Sequence, residues 1–245
     1  MNVQIVIFDG FDELDAVAPH EVWHMASELK PEVEVQLVTL DGAKEITAAN
    51  GLRVRAEGKL GAKRPDILVV PGGGWIARSP AGAWAEAQRG TLPAQIAQFH
   101  RDGVTMASVC TGAMLLAAAG LLKNRPATTH HGALDELGAM GAQVIRARVV
   151  DDGEIITAGG ITSGLDLTLW LVERFLGSQT AQTLEERLEY ERRGTVWKSS
   201  NQKQPSIEDA WKVETKRRVA EIETGKVRAI PGSKVSARVR RIAGR

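Results

Sequence analysis

Three short apolar runs constrain this chain most: residues 3–8 (VQIVIF), 66–70 (DILVV) and 104–109 (VTMASV). Each is too short for a buried helix and too continuously apolar for a strand with one wet face, so each reads as a strand buried on both sides. Each stops abruptly, at Asp9-Gly10, at Pro71-Gly72-Gly73-Gly74 and at Cys110-Thr111-Gly112, and a helical pattern follows. Strands that alternate with helices in this way predict an α/β fold, a doubly wound and mostly parallel sheet with helices on both faces. The predicted helices run from Pro19 to Leu29, over 83–101 with a division at Pro93, over the apolar stretch after Gly112, and over 162–176 and 178–190. Hairpins are expected around Asn50-Gly51 and around Asp151-Asp152-Gly153.

Ligands of such sheets lie beyond the carboxyl ends of the strands. Three strand ends carry unusual chemistry here: 12–15, the glycine triplet 72–74, and Cys110-Thr111. Cys110 is the only cysteine, which excludes an intrachain disulfide and a multi-cysteine zinc cluster. A cysteine between an apolar strand and an apolar helix sits on a tight turn with its side chain facing the cleft. The N–H groups of the following helix are expected to favour thiolate and depress the thiol pKa. The backbone N–H groups of Gly73 and Gly74, with that of Thr111, could stabilise an anion developing on a substrate that Cys110 attacks. Asp15 follows the first strand. A carboxylate next to a thiolate must be protonated or strongly hydrogen-bonded, and can then give and take a proton. Asp12 and Glu13 are rivals for that role, and spacing does not choose among the three.

Charge divides the 245 residues. Residues 208–245 hold eleven Lys/Arg and five Asp/Glu, whereas the remainder holds 20 basic and 25 acidic residues, so the net charge of +1 conceals an acidic body and a basic tail. The expected organisation is a domain over 1–191, a polar linker over 192–206, and a basic, partly helical tail over 207–245 with helices near 207–223 and 233–242. The N-terminal sequence has no signal-peptide pattern and no apolar run reaches membrane-spanning length, so a cytoplasmic location is expected.

At these residues the chain resembles the ThiJ/PfpI superfamily, the class I glutamine-amidotransferase-like group with a flavodoxin-like fold. The matching stretches are 14–22 (LDAVAPHEV), 66–74 (DILVVPGGG), 107–122 (ASVCTGAMLLAAAGLL), 127–131 (ATTHH) and 157–167 (TAGGITSGLDL). Within it the chain looks most like the isocyanide hydratases, which carry an aspartate in L-D-x-x-G-P and a threonine after the cysteine. Asp15 and Thr111 occupy those positions, while Ala18 replaces the glycine and His131 stands where the hydratases have an aromatic residue. The resemblance implies a Cys110 nucleophile assisted by Asp15 and Thr111. It also implies a pocket that includes His130, His131, Gly160 and Ile161, a small-molecule substrate, a homodimer, and no metal or organic cofactor. The implied reaction is hydration of an isocyanide to an N-substituted formamide. The superfamily also contains glyoxalase/deglycase enzymes acting on 2-oxoaldehydes and non-enzymatic ligand-sensing domains of transcriptional regulators. The peptidase branch has histidine directly after the cysteine, where this chain has Thr111.

Two features point elsewhere. His20-Glu21-Val22-Trp23-His24 is a literal H-E-x-x-H, which on a helix can hold zinc in a metallopeptidase; Ser27 and Lys30 stand where the metzincin extension needs Gly and His. The tail (207–242) resembles the addiction-module component family of antitoxin-like proteins through Trp211, Arg217-Arg218, the E-I-x-x-G-K-V stretch and Ile230-Pro231. That likeness implies a toxin-like protein partner, while its basic charge makes nucleic acid a weaker alternative.

Overall fold

The computed structural model describes residues 1–199 and Thr215. The chain forms two compact units, Met1–Gln202 and Lys203–Arg245. The expected tail helices, apart from Thr215, which is helical, lie outside the described residues.

In the first unit the strands are β1 (Asn2–Val6), β2 (Glu34–Thr39), β3 (Glu45–Thr47), β4 (Arg53–Arg55), β5 (Gly58–Lys59), β6 (Ile67–Val70), β7 (Thr105–Ser108), β8 (Pro126–Ala127), β9 (Gln143–Val144), β10 (Val149–Asp151), β11 (Ile155–Ala158) and β12 (Trp197–Lys198). The helices are α1 (Glu13–Leu29), α2 (Ala83–Arg89), α3 (Thr91–Arg101), α4 (Gly112–Ala118), α5 (Leu134–Ala139), α6 (Ser163–Leu176) and α7 (Ser178–Leu188). The main sheet runs β12-β10-β11-β7-β6-β1-β2-β5. All of its pairings are parallel except β10 with β11. Every residue of β1 and β6 is buried, as expected of strands covered on both faces. Helices α1, α6 and α7 pack together as one layer, and α2, α3 and α4 as the other. The fold is therefore the expected doubly wound, flavodoxin-like α/β sheet. Its strand order reverses between β1 and β6, which puts Asp15 and the glycine triplet at the switch point and Cys110 one strand further along.

Three local expectations need correction. The first helix starts at Glu13, not Pro19; Asp12, extended at φ −73° and ψ 128°, is its N-cap. Pro19 lies inside it, where its ring removes one backbone donor. Burial of Ala16, Ala18, Val22, Trp23 and Ala26 along the same face outweighs that loss. The ring also meets α6: a Cβ on Gly164 would lie 3.5 Å from Pro19 Cδ. The helical stretch 83–101 divides at Gly90, left-handed at φ +76°, while Pro93 sits in the first turn of α3, where a missing N–H costs nothing. The polar stretch expected to begin a linker at Arg192 starts as part of the domain. Arg192 pairs with Glu173 and Glu185, and β12 extends the sheet beside β10.

Candidate active site

Cys110 follows β7 directly and has φ +56°, the left-handed region that costs a non-glycine residue about 1–3 kcal/mol. The surrounding backbone holds it there. Its N–H donates to the carbonyls of Ala158 (3.1 Å) and Gly159 (3.0 Å), and its carbonyl accepts from Thr129 Oγ1 at 2.8 Å. Gly112 lets the turn close, since a Cβ there would collide with the Val70 carbonyl, and Gly72 admits Thr111 for the same reason. This is the strand-to-helix elbow expected from the sequence, built by four segments distant along the chain.

Asp15, on α1, is fully buried. Its Oδ2 accepts the Gly72 N–H at 3.0 Å, while Oδ1 has no partner among the described residues. Its side chain interacts with the Cys110 thiol. Among the described residues no cation compensates it; burial, and then the charge of Asp12, push its carboxyl up to about 8, so it is protonated at neutral pH. Asp12 is half-buried at the edge of the same site and is itself raised by burial, with His130 pulling the other way. Glu13 is turned elsewhere: it is only partly buried, and its carboxylate accepts from the Asn50 N–H (2.6 Å) and Nδ2 (2.7 Å). The fold therefore separates the three acids that spacing left equal.

The expected depression of the Cys110 pKa does not occur. Burial pushes the thiol up first, the Asp15 carboxylate pushes it further, and the Thr111 N–H opposes both. The thiol and the carboxylic acid thus form a coupled pair that holds its protons at neutral pH. The expected role of Gly73 also changes. Its N–H donates to Thr111 Oγ1 at 3.0 Å, so it supports that hydroxyl and does not stand open to substrate. The Thr111 hydroxyl keeps its own proton to donate, with no acceptor among the described residues. Gly74 neighbours this bond at φ +66°.

His130, Gly160 and Cys110 meet. A methyl group on Gly160 would lie 2.5 Å from His130 Cδ2 and 3.0 Å from Cys110 Sγ. His130 Nδ1 accepts the Gly132 N–H at 3.1 Å, which leaves Nε2 as the protonated nitrogen of the neutral ring. Burial and then His131 hold its pKa below the usual histidine value. His131 is exposed and packs against His130 with the rings tilted by 35° and their centroids 4.2 Å apart. Ile161 is 39% exposed beside Gly160. Sequence reasoning missed Thr129 and the N–H of Gly72, although both lie in stretches that it singled out.

The H-E-x-x-H segment lies on α1. The rings of His20 and His24 stack 6.1 Å apart, and His20 faces Glu57 at 4.0 Å. Among the described residues no group of three or more His, Cys, Asp or Glu side chains is assembled for a metal.

Residues 1–174 match the DJ-1/PfpI family. The chain belongs to that family. The isonitrile hydratase of Pseudomonas putida is 34% identical over 195 residues, which is 78% of each chain. The HTH-type transcriptional regulator CdhR of Pseudomonas aeruginosa is 30% identical over 189 residues, covering 74% of this chain and 53% of the regulator. Among solved structures, a THiJ/PfpI family protein from Pseudomonas syringae superposes with a TM-score of 0.68 at 27% identity, over 87% of this chain and 85% of that one. Residues 183–235 match an addiction module component family. The DJ-1/PfpI family thus includes both enzymes and regulators. Among the described residues no helix is long and apolar enough to cross a membrane.

Proposed function

We propose that the protein is a cysteine-dependent hydratase that converts an isocyanide to an N-substituted formamide. The observation that carries this reading is the Cys110 elbow set at the same strand ends as the fully buried Asp15, whose carboxyl receives one backbone N–H, from Gly72; burial raises both groups. The terminal carbon of an isocyanide must gain both a nucleophile and a proton, and a thiol beside a carboxylic acid supplies both to one atom. The 34% identity to an isonitrile hydratase supports it.

Cys110 Sγ bonds to the terminal carbon while Asp15 gives its proton to that carbon and takes the thiol proton. The product is a thioimidate, and Asp15 is again an acid. Water then adds to the thioimidate carbon; Asp15 protonates the nitrogen and accepts a proton from the water. The carbon–sulfur bond breaks, the hydroxyl proton returns to sulfur, and formamide leaves. The Thr111 hydroxyl and the Nε2–H of His130 are donors for the polarised intermediate, and Gly160 keeps the space at sulfur open. Water is the only co-reactant.

The test is formamide production from an aryl isocyanide by the wild type and by Cys110→Ala. Turnover should fall to background in the variant, and undiminished turnover would remove Cys110 from the chemistry. We read the active protein as a cytoplasmic homodimer whose tail over 207–245 binds a toxin-like protein; light scattering and co-purification from the native host test these assignments.

A further inference from the structure

The loop that follows the glycine triplet is fastened in an unusual way. Residues 75–78 form a turn in which Arg78 is left-handed at φ +50°, a conformation that persists in a non-glycine residue only when its surroundings impose it. Here the side chains impose it. The Arg78 guanidinium lies 3.9 Å over the Trp84 ring and 5.8 Å over that of Trp75, and the two indoles meet edge to face at 5.2 Å. One carboxylate oxygen, Glu136 Oε2, accepts from both Trp75 Nε1 (2.9 Å) and Arg78 Nη2 (3.0 Å). Glu136 belongs to α5, which follows the His130-His131 segment. The clasp therefore ties the glycine-loop wall of the site to its histidine wall, across 61 residues of sequence.

What the clasp presents is Ile76. This side chain is 58% exposed, the most exposed large hydrophobic residue described. A methyl group on Gly132 would lie 2.8 Å from Ile76 Cδ1 and 3.3 Å from His130 Nδ1, so Ile76 and the histidine that flanks Cys110 border the same glycine. On the other side of the same histidine, Gly160 leads into the exposed Ile161. Each exposed isoleucine is thus one step from a residue that flanks Cys110: Ile76 lies across Gly132 from His130, and Ile161 follows Gly160.

We propose that Ile76, positioned by the Trp75–Arg78–Glu136 clasp, is a specificity-determining residue that forms with Ile161 an apolar clamp for the substituent on the substrate nitrogen. This deepens, and rests on, the hydratase reading: the substrate class becomes uncharged isocyanides with bulky alkyl or aryl groups.

The experiment compares kcat/KM for cyclohexyl and methyl isocyanide. Ile76→Ala should lower the cyclohexyl-to-methyl ratio about tenfold, mainly through KM, while Ile76→Leu retains it. Glu136→Ala should lower the ratio in the same direction, and Glu136→Gln should restore it, because an amide oxygen still accepts from the Trp75 indole. A second readout does not depend on turnover. Cys110 is the only thiol, so its alkylation rates by N-cyclohexyl and N-methyl iodoacetamide report the clamp directly. Alkylation selectivity that Ile76→Ala erases would support the clamp even if no isocyanide were hydrated, in which case the hydratase reading alone would fail. Ratios that Ile76→Ala leaves unchanged in both assays would overturn the clamp, and a changed oligomeric state with unchanged ratios would assign Ile76 to an interface between copies.

Discussion

Two buried aspartates on helices of the same layer are treated in opposite ways. Asp166, on α6, is surrounded by donors: Arg148 Nε at 2.8 Å, the Tyr190 hydroxyl at 3.2 Å from both oxygens, and the Arg193 N–H at 2.7 Å. Asp15, on α1, has one backbone N–H, an acidic neighbour in Asp12 and a thiol. A buried carboxylate is tolerated either as a paired anion or as a neutral acid. The first solution joins the end of α7 and the segment after it to α6; the second stores a proton next to a nucleophile. The number of donors within reach, and not burial, separates a structural carboxylate from a reactive one.

The contrast can be broken by exchanging what each residue lacks. The largest expected effect is on chemistry: Asp15→Asn should lower kcat about 10²–10⁴-fold, because an amide cannot relay protons. Its pH dependence carries a sign. The folded pKa of Asp15 is raised from 3.8 to about 8, so the native state holds the extra proton between those values. The associated stability is full below pH 4 and is lost as pH rises through about 8. Wild-type kcat should fall above about pH 8, and the wild type should lose stability relative to Asp15→Asn over the same window. Activity profiles and thermal melts in matched buffers read both.

Next in size is Arg148→Ala. Leaving Asp166 buried with fewer donors should cost about 3 kcal/mol in urea unfolding, with kcat unchanged for the protein that remains folded. A loss of kcat equal to that of Asp15→Asn would erase the distinction between the two carboxylates. The smallest effect is expected for Gly160→Ala. Its methyl group crowds His130 and Cys110 Sγ and should cost about 1–3 kcal/mol, visible as slower Cys110 alkylation and a modest fall in melting temperature.

How far each aspartate was legible in sequence differs for the same reason. Asp15 could be singled out because it lies just after an apolar strand, where the fold class puts ligands, although Asp12 and Glu13 looked equivalent. Asp166 gave no signal, since its donors come from 18 to 27 residues away. Ile76 and Glu136 were invisible for that reason too, being brought together only by the clasp. Gly73 looked like a free donor because pattern shows where an N–H lies but not what accepts from it.

The sequence by itself determined the strands, their buried character, the elbow at Cys110 and the division into an acidic body and a basic tail. These follow from local periodicity, turn chemistry and charge, which act between residues near in the chain. Only the tertiary structure decided which acid faces the thiol, that burial raises both members of the pair, and that Thr111 engages Gly73. Such properties depend on solvent exclusion and on donors contributed by distant segments, and neither is encoded at any single position.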